Sequence, residues 1–176
     1  NRSASDSSIR TRGGMIYAAR NLLDIVPLVA SLWDRPPLRE ALASTLGARC
    51  GLVRGLFFDK PPDQPWSLPW HQDKTIAVAD HSLPTDYFRN PTRKEGVPHV
   101  EAPRRLLERM LTLRIHLDDV TDSNGPLVVL PRSHHSGAEQ KENAAVSTSA
   151  PTSVLAASGD VLLMRPLLSH CSGKSL

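Results

Sequence analysis

Cysteine is scarce in this sequence. Two residues, Cys50 and Cys171, among 176 cannot build a disulfide framework, which points to a reducing, cytoplasmic setting. Long apolar runs are missing too, so no segment reads as a membrane span. The opening stretch, Asn1 to Arg12, is polar and has no apolar core of the kind a secretory signal needs. It also lacks an initiating Met, so residues before Asn1 are expected. There is no basic stripe. The formal charge is +3, with acids interspersed among the Lys and Arg, which argues against a nucleic-acid-binding face. That mild excess does suit a small anionic cosubstrate. No internal repeat is present, and no motif specifies an oligomeric state. What remains is a chain of single-domain length, residues 1–176, with neither nucleic acid nor membrane indicated as partner.

Two patterns divide the chain. Residues 1–14 are polar and read as frayed, with Gly13-Gly14 as a break. Asn21 to Trp33 carries Leu22, Leu23, Ile25, Val26, Val29 and Leu32 and predicts helix around Pro27. A second helix starts at Pro36-Pro37, sets Leu38, Ala41, Leu42, Thr45 and Leu46 on one face, and stops at Gly47. Strand signals follow: Leu52 to Phe58, Thr75 to Ala79, Leu111 to Leu117, Leu127 to Leu130, Val154-Leu155 and Val161 to Met164. Ser123-Asn124-Gly125-Pro126 is a strong turn between two of them. Residues 80–103, rich in Pro, Asp and Arg, read as a long loop of the kind that covers a site, with His99 as a candidate substrate contact. Leu106 to Met110 reads as a helical turn, and Ser136 to Ser149 as a polar, mobile loop. Helices over about 15–47 and short strands over about 49–176 predict a mainly β fold with flanking helices. The expected architecture is a double-stranded β-helix, the jelly-roll or cupin-like barrel, whose mouth holds ligands.

One stretch carries chemistry: Trp70-His71-Gln72-Asp73. Side chains two apart on a strand share a face, so His71 and Asp73 can reach one metal ion. A third ligand must come from elsewhere, and His170, after Arg165-Pro166-Leu167-Leu168-Ser169, is the candidate. Two His and one carboxylate on one side of a metal form the facial triad of non-haem Fe(II) oxygenases, with three positions left open. The same donors also suit Zn(II) and Mn(II). Arg114, on a strand that alternates with Leu113 and Ile115, offers a planar fork for a carboxylate. Arg165 is a second cation on the approach to His170. Lys60 and Lys74 read as solvated or structural, and His81, His116, His134 and His135 as non-ligands.

Four segments in order carry a family resemblance. They are Phe57-Phe58-Asp59-Lys60-Pro61-Pro62 with Pro69 to Asp73; Leu113 to Asp118 leading into Asn124-Gly125-Pro126-Leu127 and Pro131-Arg132-Ser133-His134; Gly159-Asp160-Val161 through Pro166 to His170; and Gly96-Val97-Pro98-His99-Val100. The chain resembles the phytanoyl-CoA dioxygenase family of Fe(II)- and 2-oxoglutarate-dependent oxygenases. The resemblance implies a jelly-roll core, one Fe(II), 2-oxoglutarate as cosubstrate, O2, and hydroxylation of a C–H bond with release of succinate and CO2. It places His71, Asp73 and His170 at the metal and catalytic positions. Gln72 falls at a cosubstrate-contacting position, although strict alternation points it away from the metal. Arg114 and Arg165 are the candidate cosubstrate-binding cations within the chain, the alternatives being a solvated strand residue for Arg114 and a surface or structural ion pair for Arg165. Related halogenases lack the ligand carboxylate that Asp73 provides, so hydroxylation is implied. Two departures stand out. Arg132 replaces the glycine of the family's Pro-Gly-Ser-His turn. The family's carboxylate-clamping arginine, on the strand after the distal histidine, falls past Leu176, so a further C-terminal strand is expected.

Two other functions use the same residues. A Zn(II)-dependent hydrolase would need an acidic base near a bound water, for which Asp118 and Asp119 are the nearest candidates. A non-catalytic small-molecule-binding barrel would need no metal chemistry. Oxygen uptake dependent on 2-oxoglutarate separates the first reading from both.

Overall fold

The N-terminal polar stretch is not simply frayed: strands β1 (Ile9–Arg12) and β2 (Met15–Ala19) pair antiparallel about Gly13-Gly14. The structure, a computed structural model, describes residues 8–61, 66–135 and 149–175. Helix α1 is short (Leu22–Ile25), and Pro27 opens a 3-10 helix, Pro27–Asp34, where continuous helix was predicted. Proline has no N–H to donate to the preceding turn, so the α ladder stops there. Helix α2 (Pro36–Leu46) runs as read, from Pro at its first turn to Gly47 at φ 88. Strand β3 is reduced to Phe57–Phe58. Then come β4 (Leu68–His71), β5 (Thr75–Ala77), β6 (Arg89–Lys94) and β7 (Val97–Glu101). The last two form a hairpin inside the stretch read as a loop. Helix α3 (Arg104–Leu107) precedes β8 (Thr112–Ile115), β9 (Leu127–Val129), β10 (Thr152–Val154), β11 (Val161–Met164) and β12 (His170–Ser172). The predicted mobile loop at Ser136 to Ser149 lies almost wholly outside the described residues.

Contacts divide the chain into two compact units, Asn1–Asp59 with Thr75–Pro103, and Lys60–Lys74 with Arg104–Leu176. The first holds two sheets, β1-β2-β3 and β5-β7-β6. Its core includes Ala18, Ala19, Leu42 and Val100, together with a fully buried His99. The second holds the sheets β10-β9-β12-β4 and β11-β8. Its core includes Leu107, Leu127, Met164 and Leu167. In the second unit the chain alternates between sheets, so strands remote in sequence become neighbours. All pairings among the described strands are antiparallel. This is the mainly β, cupin-like class that the strand order predicts, although the described strands do not close a barrel. No described helix is long and apolar enough to cross a membrane.

Candidate metal centre

Strand β4 ends on His71 and strand β12 begins on His170, and the two are direct cross-strand partners. Directly opposed residues of an antiparallel pair hold their Cβ atoms about 5 Å apart, so their side chains meet. The imidazole centroids are 4.2 Å apart. Asp73 lies just past β4, where its backbone N–H donates to the Pro166 carbonyl at 2.8 Å. Its carboxylate faces both rings: Oδ1 is 4.0 Å from His71 Nε2, and Oδ2 is 3.9 Å from His170 Nε2. The three ligating atoms lie within 4.8 Å of one another, the one such group of His, Cys, Asp or Glu found among the described residues.

The chemistry of the donors fits a divalent ion. His71 Nδ1 donates to the Pro69 carbonyl at 2.7 Å, and His170 Nδ1 to the Leu168 carbonyl at 2.8 Å. A carbonyl only accepts, so each Nδ1 carries the proton and each Nε2 keeps its lone pair. Metal-bound histidines are oriented by this kind of outer contact. Burial is graded: the His170 side chain is 6% exposed and that of Asp73 46%. The acid side of the group is therefore open to incoming molecules.

Backbone ties hold the two arms together. The Gln72 side-chain amide donates to the Leu167 carbonyl at 2.6 Å. Leu130 N–H donates to the Ser169 carbonyl, and Ser169 N–H donates to Ser133 Oγ at 2.8 Å. Ser133 is buried and acts as a positioning residue that sequence reasoning missed. The signal in the sequence is the turn Pro131-Arg132-Ser133-His134, in which the serine and not the histidine side chain makes the tie. His134 contributes its carbonyl, which accepts from Arg104 Nη2 at 2.7 Å. Arg132 has φ 66, the left-handed region. A non-glycine residue is strained there by about 1 kcal/mol, so this turn favours glycine and Arg132 meets its backbone requirement at a cost.

Of the cations expected near the cosubstrate, Arg165 donates from Nη1 to the Met110 carbonyl at 3.1 Å. Arg114 sits on β8 opposite Leu162, half-buried, and burial pulls its pKa below the ordinary arginine value. It has no hydrogen bond or ion pair with the described residues. Lys60, read as solvated or structural, is tied to two carbonyls, Gly125 at 3.1 Å and Gly173 at 2.6 Å. Its ammonium lies 4.5 Å from the centre of the Trp66 ring, a cation–π contact. Burial, then Arg114, brings its pKa down to about 8. Gly125 makes this tie possible. Its φ is +68, and a Cβ there would stand 2.6 Å from the Gly173 carbonyl oxygen.

Comparison with known proteins bears on family and fold. The profile of the phytanoyl-CoA dioxygenase (PhyH) family matches residues 1–176. No curated protein sequence matches significantly. Among solved structures, the chain is similar to AviO1 from Streptomyces viridochromogenes Tue57, at 22% identity and TM-score 0.60, over 98% of this chain and 68% of that one. It is similar to EctD from S. alaskensis in its apoform, at 18% identity and TM-score 0.66, over 99% of this chain and 57% of that one. It is also similar to apo HygX from Streptomyces hygroscopicus, at 20% identity and TM-score 0.55, over 90% of this chain and 67% of that one. The chain thus spans little more than half of EctD, and at these identities the likeness shows the fold. The match over the whole sequence shows more: the chain belongs to the phytanoyl-CoA dioxygenase family of Fe(II)- and 2-oxoglutarate-dependent oxygenases.

Proposed function

We propose that the protein is a non-haem Fe(II)- and 2-oxoglutarate-dependent dioxygenase that hydroxylates a small organic substrate and releases succinate and CO2. One observation carries this reading: His71, Asp73 and His170 converge, with both Nε2 lone pairs turned toward the same carboxylate. An iron held there, with 2-oxoglutarate and O2, supplies the oxidising power for the C–H bond. The chain's own part is to hold that ion from one side and leave the other free. Anchoring of each Nδ1 removes ring rotation, and Asp73 supplies negative charge to the cation. Gln72 and the Asp73 backbone hold the first arm against residues 166–167, so both arms keep their spacing. Asp73 also fills the position that would otherwise be free for halide, so the product is an alcohol and not a chloride.

Gln72, Arg114 and Arg165 are the residues proposed to meet 2-oxoglutarate. A hydrolytic Zn(II) reading is less well supported. The acids it would need, Asp118 and Asp119, are exposed, and Asp119 Oδ1 accepts from Ser158 N–H at 2.8 Å. The test is oxygen uptake and succinate formation with Fe(II) supplied, with and without 2-oxoglutarate, across a panel of small molecules. Turnover that needs 2-oxoglutarate and disappears in His170→Ala supports the reading. Metal-loaded protein that consumes no O2 with 2-oxoglutarate across the panel sinks it.

A further inference from the structure

The turn beside the second metal arm is strained. Ser133 N–H donates to the Leu130 carbonyl at 3.2 Å, which closes Leu130-Pro131-Arg132-Ser133 as a four-residue turn. Proline suits the second position of such a turn, and a positive φ at the third, here 66, normally calls for glycine. Arg132 stands there instead. Its side chain is exposed and makes no hydrogen bond or ion pair with the described residues, so it does not offset the backbone cost. Both ends of the turn close on Ser169. Leu130 N–H donates to the Ser169 carbonyl at 2.9 Å, and Ser169 N–H donates to Ser133 Oγ at 2.8 Å. Ser169 lies between the ligand His170 and Leu168, whose carbonyl anchors the His170 ring. A turn that relaxed to negative φ at Arg132 would carry the Ser133 hydroxyl away from Ser169 and loosen both neighbours. A strained conformation persists only where the surrounding structure over-determines it.

Arg104, on α3 of the same unit, supplies a brace from outside the turn. Its Nε donates to Glu108 Oε1 at 2.7 Å, one helical turn on, and its Nη2 donates to the His134 carbonyl at 2.7 Å. The two side chains are 37% and 50% exposed, so the ion pair itself adds little stability. Its effect is geometric. The carboxylate fixes the plane of the guanidinium, and the rigid fork then aims Nη2 at the residue that follows Ser133. We propose that Arg104 is a positioning residue for the metal centre, holding the glycine-free turn closed on Ser169 and thereby fixing His170. The assignment rests on the reading of the triad as a metal site and deepens it. Glycine takes positive φ without strain, so glycine at position 132 would make the brace dispensable. Residues 104 and 132 are therefore coupled in their effect on the metal.

The test is a double-mutant cycle of wild type, Arg104→Met, Arg132→Gly and the double variant, with Arg104→Lys as the conservative change. Calorimetry with Mn(II) alone reads the metal site without turnover. Hydrogen exchange of the Ser169 amide by NMR, measured relative to the amides of β8 and β11, reads the tie itself. Thermal unfolding checks each fold. Arg104→Met should weaken Mn(II) binding by about tenfold, the lower end for outer contacts of metal ligands, and speed Ser169 exchange by a similar factor. Arg104→Lys, which keeps a donor but not the fork, should fall between. Arg132→Gly should leave Mn(II) affinity as in wild type, and in the double variant it should return both readings to within about threefold of wild type. A merely structural Arg104 would lower the melting temperature and leave Mn(II) affinity and relative Ser169 exchange unchanged, and that result overturns the proposal. So does a loss that Arg132→Gly does not restore. If wild type takes up no Mn(II), the oxygenase reading fails on its own account, and Ser169 exchange alone then decides the brace by the same two criteria.

Discussion

Three histidines of this protein share one local device and two fates. His71, His170 and His99 each donate Nδ1–H to the carbonyl two residues earlier, at 2.7, 2.8 and 2.8 Å. In the second unit, His71 and His170 turn Nε2 toward Asp73. In the first, His99 turns Nε2 toward Arg54, whose Nη1 donates to it at 2.6 Å. Anchoring an imidazole through Nδ1 therefore does not make it a ligand. The charge facing the other nitrogen decides. A carboxylate leaves the lone pair free and draws a cation in, while a guanidinium occupies the lone pair and repels one. His99 is wholly buried, so it is also not the substrate contact that its place in the sequence suggested.

The comparison breaks most visibly in metal binding. His170→Ala and Asp73→Ala should weaken Mn(II) affinity by about a hundredfold or more, measured by calorimetry, with His99→Ala unchanged. A comparable loss in His99→Ala would show that the charge rule is wrong. Stability should give the opposite order. His99→Ala deletes a fully buried, doubly bonded ring and should cost about 2–4 kcal/mol in urea unfolding. His71→Ala, at a site 33% exposed, should cost under about 1 kcal/mol.

Acid should sharpen the contrast further. Burial, then the cations Arg54, Lys94 and Arg20, holds the His99 pKa below its ordinary value, against a raising effect of the Val97 carbonyl. The unfolded chain takes up that proton near pH 6.5, while the folded protein resists it. The contribution of His99 is therefore complete above about pH 6.5 and is lost as the pH falls toward the folded pKa. His134, also depressed by burial and neighbouring cations, adds an effect of the same sign. Unfolding titrations should show a shallower acid limb in His99→Gln, with the His134 part remaining. The smallest effect is expected in Arg54→Met. Removing one cation should raise the His99 pKa, followed by NMR titration, yet leave it below the ordinary value because burial is the larger cause.

The triad was legible because the ordered motifs point to it; strand alternation reaches only as far as His71, since Asp73 lies past the end of β4. Helix α2 was legible because proline and glycine punctuate it. The β6–β7 hairpin was not. Pro91 and Pro98 lie within its strands, and proline cannot donate to a ladder, so the stretch reads as loop. Its turn places Glu95 at φ 50 before Gly96 at φ 77, a two-residue turn in which Asn or Asp is the usual first residue. Lys60 was illegible for another reason. Its partners Gly125 and Gly173 lie 65 and 113 residues away in sequence, and no local pattern encodes them. Ser133 depends in the same way on the distant Ser169. Local spacing shows which groups are chemically able; the fold alone shows which of them face a cation, a carboxylate or nothing.

The opposition of His71 and His170 across one strand pair has a thermodynamic side. Gln72 and Leu167, which brace that pair, are 95 residues apart in sequence. Closing so long a loop carries an entropic penalty, and contacts of this span form slowly. The unfolded chain consequently has no such site, and any ion held there binds the native state alone. By mass action, free metal at a hundred times its dissociation constant stabilises such a protein by about 2.7 kcal/mol, and a chelator withdraws the same amount. The lifetime of the fold is thereby coupled to the supply of the metal.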